Sequence, residues 1–323
     1  MFAGKPFSRI GTILLFLAPF PQFFPAIGLR FRKESGAGNI SPMISASTVK
    51  GLLDRGLPDF ALAPLLSRMA RWQRKGVRKI FRDGDLWIHE TDMGYFAYRE
   101  PYLRLDLRRL DEIARGNFFW GYTPARGDVI IDVGAGVGEE ALTFARAVGE
   151  DGKVICIEAH PKTYCCLKAL VQYNRLENVV TVQEAVTEPL QLDATIDDSA
   201  DYLSNRLGSA NGIPVSATTI DEIRVKLGLE KIDFLKMNIE GAERLAIRGM
   251  TDALKHTQAL CICCHDFLAD KGGDESYRTK STVREFLQQS GLRVVERLEP
   301  GSPPYINHQV WAYNPAVATA VAS

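Results

Sequence analysis

The chain has 323 residues, of which 46% are hydrophobic and 24% charged, so it can bury a large core. Its formal net charge is zero, so whole-protein electrostatics give no case for a nucleic-acid partner. The six cysteines lack disulfide or zinc-site spacing, and three of them crowd one apolar run, as buried cysteines of a reducing cytosol do. We therefore expect a cytoplasmic protein without a metal site.

Positive charge is concentrated at the N-terminus. The first 82 residues carry 14 basic and three acidic side chains, against 25 and 36 in the remainder. Residues 10–29 are uncharged, but their three prolines disfavour a membrane-spanning helix, and residues 67–82 hold seven basic residues among apolar ones. Two interpretations stay open for residues 10–82: a peripheral contact with an anionic membrane, or a poorly ordered leader before a solvated basic helix.

Composition and pattern divide the chain into four parts. These are an apolar and basic leader with its linker, an N-terminal extension, a ligand-binding α/β domain and a short tail, at residues 1–48, 49–126, 127–315 and 316–323. Within the extension, residues 49–82 are predicted to be helical. "GDLWIHE" and "YFAYRE" are predicted strands, and "LDLRRLDEIARG" is a predicted helix that ends at Gly116.

From Asp128 onward, strand and helix patterns alternate. The predicted strands are "DVIIDV", "KVICIEA", "VVTVQEA", "IDFLKMNIE" and "ALCICCH", followed by "RVVERLE" and "HQVWAYN" with no helix between them. This order predicts a doubly wound, mostly parallel sheet with helices on both faces and a C-terminal antiparallel hairpin. Residues 187–217 are predicted to form a long polar loop, which is either a lid, a substrate-binding loop or disordered.

A glycine-rich loop follows the first strand of this domain. The strand ends at Asp132, and Gly134, Gly136 and Gly138 come next with G-x-G-x-G spacing. The dinucleotide fingerprint needs G-x-G-x-x-G, whereas its third position here is Glu139. A carboxylate at a helix N-terminus would repel a pyrophosphate, so the loop indicates a ligand without phosphates, preferably a cation.

S-adenosylmethionine has these properties, because its sulfonium is positive and it carries no phosphate. Glu158 ends the second strand, 20 residues after Gly138, where an acid commonly binds ribose hydroxyls in such folds. Together the glycine loop and Glu158 predict S-adenosyl-L-methionine as the cofactor.

The fragments "DVIIDVGAGVGEEALTFA", "VICIEAHP", "TTIDEI" and above all "IDFLKMNIEGAE" resemble the FkbM-type S-adenosylmethionine-dependent methyltransferases. The resemblance runs from about residue 127 to residue 313. It implies the seven-stranded, Rossmann-like sheet of class I methyltransferases. It also implies O-methylation of a hydroxyl acceptor, on a sugar, a glycolipid or a secondary metabolite.

The resemblance also assigns site residues. It places cofactor-binding residues at Asp132, Gly134, Gly136, Gly138, Glu158, Glu184, Ala185 and Asn238. Asn238 is a departure, because the family usually has an acid there, facing the methionine end of the cofactor. An amide can hydrogen-bond, but it can neither stabilise a sulfonium by charge nor act as a base.

The candidate catalytic residues follow two strands whose carboxyl ends should meet. Glu240 comes after the fourth strand, and His265 and Asp266 come after the fifth. Together with Asn238, Glu240 and His265 form the predicted catalytic set, in which either of the latter two is the base that takes the hydroxyl proton. The alternatives without a catalytic role are that Glu240 holds a cofactor amino group and that His265 is a core residue. Glu243 is expected to be structural, as an acid in the first turn of a helix.

Two other functions remain open from the sequence. Asn238 and the basic, apolar N-terminus are compatible with a weakly active or inactive scaffold that keeps the methyltransferase fold. A nicotinamide-dependent dehydrogenase is the third alternative, although the glycine spacing and Glu139 disfavour it.

Overall fold

The computed structural model describes residues 30–33, 40–43, 51, 58–72, 76–102, 105–198, 207–208 and 211–317. It divides the chain into two compact units, Met1–Pro58 and Asp59–Ser323. In the first unit, β1 (Arg30–Lys33) pairs antiparallel with β2 (Ile40–Met43). Of the predicted leader and linker, residues 1–29, 34–39 and 44–48 lie outside the described residues.

The second unit begins with α1 (Asp59–Trp72) and a three-stranded antiparallel sheet of β3 (Val77–Asp83), β4 (Leu86–Thr91) and β5 (Tyr95–Tyr98). The prediction of β4 and β5 is confirmed, but the helix predicted up to residue 82 is wrong beyond α1. Val77 and Ile80 are buried, and Gly84, at φ +55°, turns the chain into β4. Strand pairing of β3 with β4 across this turn outweighs the helical pattern of the local sequence.

The helix predicted before the central sheet is present as α2 (Leu107–Ile113). It continues as a π-helical turn over Ala114–Phe118, two residues past the predicted end.

The central sheet has seven strands. They are β6 (Val129–Val133), β7 (Lys153–Ile157), β8 (Val179–Val182), β12 (Ile232–Met237), β13 (Thr257–Cys263), β14 (Arg293–Glu296) and β15 (Gln309–Tyr313). Their order is β14-β15-β13-β12-β6-β7-β8. Only β15 runs against its neighbours, β13 and β14. The mostly parallel sheet and its C-terminal antiparallel hairpin are confirmed.

Helices cover both faces of the sheet. They are α3 (Ala141–Val148), α4 (Pro161–Tyr173), α5 (Ile220–Lys226), α6 (Glu243–Ala246), α7 (Asp266–Asp270), α8 (Lys280–Gln289) and α9 (Pro304–Asn307). Ile130 on β6 packs with Phe144 of α3 and Leu167 of α4. Its neighbour Ile131 faces the opposite core, which includes Ile223 of α5. This alternation along a buried strand makes the fold doubly wound.

The polar loop predicted for residues 187–217 is partly wrong. β10 (Asp193–Ile196) pairs antiparallel with β11 (Ile213–Thr218), which continues parallel to β9 (Ala185–Val186). Ala185, Ile196 and Val215 form a small core of their own. These strands are short and are interrupted by polar residues, so their sequence lacks the continuous apolar run that marks the central strands.

The charges of the N-terminal extension are partly balanced within the described residues. Arg78 Nε lies 2.6 Å from Asp92 Oδ1, and Arg82 Nε lies 3.6 Å from Asp59 Oδ2. None of the helices in the described ranges has the length and apolar character needed to cross a membrane. Peripheral membrane contact through residues 10–82 stays a prediction.

Asn174, at the C-terminal end of α4, joins the N-terminal extension to the central domain. Its Oδ1 accepts a hydrogen bond from Tyr95 N–H at 2.8 Å, and its Nδ2 donates to Tyr95 O at 2.7 Å and to Leu170 O at 2.8 Å. The amide therefore pairs both backbone groups of Tyr95, at the edge of the sheet that contains β5.

We expect Asn174→Ala to lower the free energy of unfolding by about 1–3 kcal/mol, because it leaves these backbone groups without partners. Urea denaturation would measure the loss. Gln172→Ala, an exposed change on the same helix, should stay within about 0.5 kcal/mol of wild type. Equal effects of the two variants would contradict the proposed link.

Candidate active site

The glycine-rich loop lies at the carboxyl end of β6, between β7 and β12. Gly134, Gly136 and Gly138 have φ angles of +74°, +58° and +91°, which lie in a region of backbone conformation that residues other than glycine rarely adopt. A Cβ on Gly134 would lie 2.0 Å from the carbonyl oxygen of Asn238, and one on Gly138 would lie 2.8 Å from Leu167 Cδ1. The glycines therefore let the loop pack tightly against β12 and α4.

A narrow cleft of about 90 Å³ opens above this loop, where the strand order reverses. Six of the eight predicted cofactor residues line it, together with Glu240: they are Gly134, Gly136, Glu158, Glu184, Ala185 and Asn238. Among the described residues, every ionisable side chain in its wall is a carboxylate, and no lysine, arginine or histidine lines it. These residues suit a cationic ligand without phosphates and would disfavour a pyrophosphate.

Glu158 is held rigidly at the edge of the cleft. Its Oε2 accepts a hydrogen bond from Gly136 N–H at 2.9 Å, and its Oε1 accepts one from His160 N–H at 2.8 Å. Burial raises the pKa of its carboxyl, and the two N–H donors oppose that rise. Because a carboxylate has about four acceptor positions, Glu158 can still receive hydroxyl donors from a ligand.

The other two predicted cofactor residues, Asp132 and Gly138, do not line the cleft. Asp132 is fully buried under the loop, where its Oδ1 lies 2.7 Å from Lys236 Nζ. The ammonium of Lys236 also donates a hydrogen bond to Gly134 O at 3.0 Å. Burial alone would lower the pKa of Lys236, but the carboxylates of Asp132 and Glu140 outweigh it and raise the pKa. Asp132 therefore supports the loop from below.

The two acids that follow the glycines meet different partners. Glu139 Oε1 accepts a hydrogen bond from the Tyr98 hydroxyl at 2.8 Å, so the end of β5 touches the loop. The pKa of Glu140 is raised to about 7, because the effect of burial exceeds the opposing effect of the nearby Lys236 ammonium. The contact of Tyr98 is a feature that the sequence pattern did not reveal, because Tyr98 lies 41 residues from Glu139.

A second, larger cavity of about 610 Å³ lies beside the cleft and shares Glu240 and Leu207 with it. Its polar lining includes Thr187, Gln191, Asp193, Thr195, Arg244 and Ser276. Part of its wall is formed by β10, within the segment predicted to be a lid or substrate-binding loop. The volume is in the range of small-molecule sites.

Glu240 and His265, the two predicted base candidates, are in contact. His265 Nε2 lies 3.1 Å from Glu240 Oε1, and His265 Nδ1 lies 3.0 Å from Glu243 Oε1. Burial would lower the pKa of His265, but hydrogen bonds to the two carboxylates raise it to about 10. With both ring nitrogens donating, His265 is an imidazolium at neutral pH. The base assignment therefore moves toward Glu240.

Asp266 does not join this group. Its Oδ2 accepts hydrogen bonds from the N–H groups of Thr279 at 3.0 Å and Lys280 at 3.1 Å, at the start of α8. It caps that helix, as an acid at a helix N-terminus commonly does. In the part of the chain that the structure describes, no three His, Cys, Asp or Glu side chains converge as a metal site would require.

The raised pKa of His265 makes stability depend on pH. A group whose pKa is higher in the folded protein stabilises it fully below the ordinary pKa of 6.5, and this contribution is lost as pH rises toward about 10. The unfolding free energy of wild type minus that of His265→Gln should therefore fall between pH 6.5 and 10. Urea denaturation at several pH values would measure it, and a difference that stays constant would contradict the doubly paired imidazolium.

Comparison with known proteins places this site in a family. The methyltransferase FkbM domain matches residues 132–294, just over half of the chain. This range contains the glycine-rich loop, Glu158, Asn238, Glu240 and His265. No curated protein matches the chain.

Similar solved structures include a SAM dependent methyltransferase from Aquifex aeolicus, with 18% identity, 64% of this chain and 95% of that one covered, and a TM-score of 0.39. Fibrillarin from Aeropyrum pernix, with natively bound S-adenosyl-L-methionine, has 13% identity, 73% and 98% coverage and a TM-score of 0.40. Methyltransferase FkbM from Methylobacillus flagellatus has 18% identity, 58% and 44% coverage and a TM-score of 0.41. Since all three scores are low, the assignment depends on the domain match. The chain belongs to the FkbM methyltransferase family.

Proposed function

We propose that this protein is an S-adenosylmethionine-dependent O-methyltransferase that acts on a hydroxyl of a sugar, a glycolipid or a small metabolite. One observation carries the proposal. A cleft in which every described ionisable residue is a carboxylate shares Glu240 with a larger cavity of mixed polar and apolar lining. The first suits the cofactor, the second suits the acceptor, and the shared residue lies where the two would meet.

The residues of the cleft match the cofactor part by part, although a cleft of about 90 Å³ has to widen when the cofactor binds. Glu158 keeps free acceptor positions for the ribose hydroxyls, and the backbone around Glu184 and Ala185 borders the place for the adenine. Asn238 faces the same cleft at the carboxyl end of β12 and would hydrogen-bond the methionine part. Because Asn238 is neutral, Glu240, which lines the same cleft, is the carboxylate that would face the sulfonium on that side.

When bound, the cofactor supplies an electrophilic methyl group on a sulfonium. Transfer of this methyl group to the acceptor oxygen would leave the cofactor as a neutral thioether. The protein aligns the reacting atoms, excludes water and removes one proton from the hydroxyl. Glu240 accepts this proton and returns it to solvent, while the His265 imidazolium holds the carboxylate in place.

The larger cavity supports a polyhydroxylated acceptor. Gln191, Thr195 and Ser276 offer both hydrogen-bond donors and acceptors, and Asp193 and Arg244 add one charge of each sign. Hydroxyl-rich molecules need such mixed partners, and the carbon faces of a sugar ring would pack on the apolar part of the wall, which is formed by Ala194, Leu207, Pro214, Ala242 and Leu245.

Calorimetric titration with S-adenosylmethionine, S-adenosylhomocysteine and NAD tests the cofactor assignment. We expect the first two to bind and NAD not to bind. Glu158→Gln should weaken their binding by about 1.5–3 kcal/mol, roughly 10- to 150-fold, because it removes a charge-assisted hydrogen bond. Glu177→Gln, a change at an exposed residue, is the matched control and should bind as wild type does. Binding of NAD alone would favour the dehydrogenase alternative.

Turnover separates an enzyme from a scaffold. Wild-type protein with methyl-labelled S-adenosylmethionine and a broad library of hydroxylated sugars, glycolipids and metabolites should give at least one labelled ether product. Tight cofactor binding with no labelled product from any acceptor would instead favour a scaffold with the methyltransferase fold. Label on a nitrogen or carbon atom would contradict O-methylation.

A further inference from the structure

Glu243 is a buried carboxylate that lines neither cavity. Its side chain is 0% exposed, at the start of the short helix α6. Its Oε1 lies 3.0 Å from His265 Nδ1 and accepts a hydrogen bond from Gly241 N–H at 3.2 Å, while its Oε2 accepts one from the Thr279 hydroxyl at 3.2 Å. Every contact of this carboxylate is thus made inside the protein.

Stability alone does not explain such a group. Removing a carboxylate from water costs several kcal/mol, and a buried ion pair can often be replaced by apolar residues without loss of stability. Glu240, His265 and Glu243 together carry two negative charges and one positive charge, so burying the second carboxylate adds to the cost. A retained group of this kind is better explained by what it positions.

Glu240 needs positioning, because its backbone is strained. Its φ of +51° lies in the left-handed region, which costs a residue other than glycine about 1 kcal/mol or more. Its side chain, 19% exposed, reaches the wall shared by the two cavities, and its hydrogen-bonded partner among the described residues is His265. The orientation of the Glu240 carboxylate thus depends on the orientation of one imidazolium ring.

We propose that Glu243 is a positioning residue for methyl transfer. Its carboxylate holds His265 protonated and fixes the ring, so that Nε2–H points at Glu240 and keeps that carboxylate at the junction of the two cavities. This inference rests on the proposed function, in which Glu240 takes the proton from the acceptor. It adds a group 22 residues before His265 that touches neither cofactor nor acceptor.

Other titratable groups face this pair without replacing Glu243. They are Cys263 and Cys264 on and after β13 and His308 before β15, while Asp266 on α7 and Lys280 on α8 act in turn on His308. Asp266 is engaged by the N–H groups of Thr279 and Lys280. Burial lowers the pKa of His308 and raises the pKa of Cys264, so both are uncharged near neutral pH. Glu243 is therefore the carboxylate that keeps Nδ1 of His265 protonated.

The experiment compares Glu243→Gln with wild type. Glu222→Gln is the matched control, since Glu222 is also hydrogen-bonded in the first turn of a helix, α5, with its Oε2 2.9 Å from Thr219 N. Ring nitrogen signals of ¹⁵N-labelled protein report the pKa of His265, assigned through the signal lost in His265→Gln. Turnover gives kcat, and calorimetry gives the affinity for S-adenosylhomocysteine.

In Glu243→Gln the pKa of His265 should fall from about 10 by about one to three units, because one of two carboxylate partners is lost. The kcat should fall about 10- to 100-fold through misplacement of Glu240, with cofactor affinity changed less than about twofold. Glu222→Gln should match wild type in all three measurements. An unchanged His265 pKa, or a kcat equal to that of Glu222→Gln, would overturn the proposal.

Thr279→Val serves if Glu243→Gln does not fold, because it keeps the carboxylate and removes one of its hydrogen bonds. It should then reduce kcat with little change in cofactor affinity, and a kcat equal to wild type would overturn the positioning role. Failure of the proposed function can be distinguished from failure of the inference about Glu243. A wild type without turnover would contradict that function, while the titration of His265 would still decide whether Glu243 holds the imidazolium.

Discussion

The ion pair between Asp132 and Lys236 supports the glycine-rich loop and the cleft above it. Asp132 ends β6 and Lys236 lies in β12, so their contact at 2.7 Å joins the two strands at the point where the strand order reverses. Lys236 also bonds Gly134 O, and Gly134 in turn packs against the backbone of Asn238. Because the pair is buried, loss of the Lys236 charge would leave the Asp132 carboxylate uncompensated under the loop.

This arrangement also determines the electrostatics of the cleft. Lys236, beneath the loop, is paired with Asp132, and the ionisable residues that line the cleft above it are Glu158, Glu184 and Glu240. Glu184 faces Lys226 Nζ at 3.5 Å and Glu240 faces His265 at 3.1 Å, whereas no ion pair engages Glu158 among the described residues. A cationic, phosphate-free nucleoside is favoured there, and a pyrophosphate is disfavoured. The same reasoning makes Asn238 tolerable, since Glu240 supplies negative charge on that side of the cleft.

Local pattern sufficed for the central sheet and most of the cleft, because continuous apolar runs, three spaced glycines and Glu158 carry their signal within a few residues. Three features depend on distant partners and escaped the pattern. First, β3 is a strand because it pairs with β4. Second, β9, β10 and β11 share a small core of three buried side chains. Third, Glu243 is buried through its contacts with His265 and with Thr279 at the start of α8. The family motif includes Asp132, but only the packing reveals that its side chain points under the loop.

The central claim is that the cleft holds a cationic nucleoside between carboxylates, with its reactive end at Glu240. A crystal structure of the protein with bound S-adenosylmethionine tests this most directly. We expect the ribose hydroxyls within hydrogen-bond distance of Glu158, and the methyl group directed past Asn238 into the cavity that Glu240 borders. A cleft left vacant by the ligand, or a sulfonium directed away from Glu240, would contradict the account.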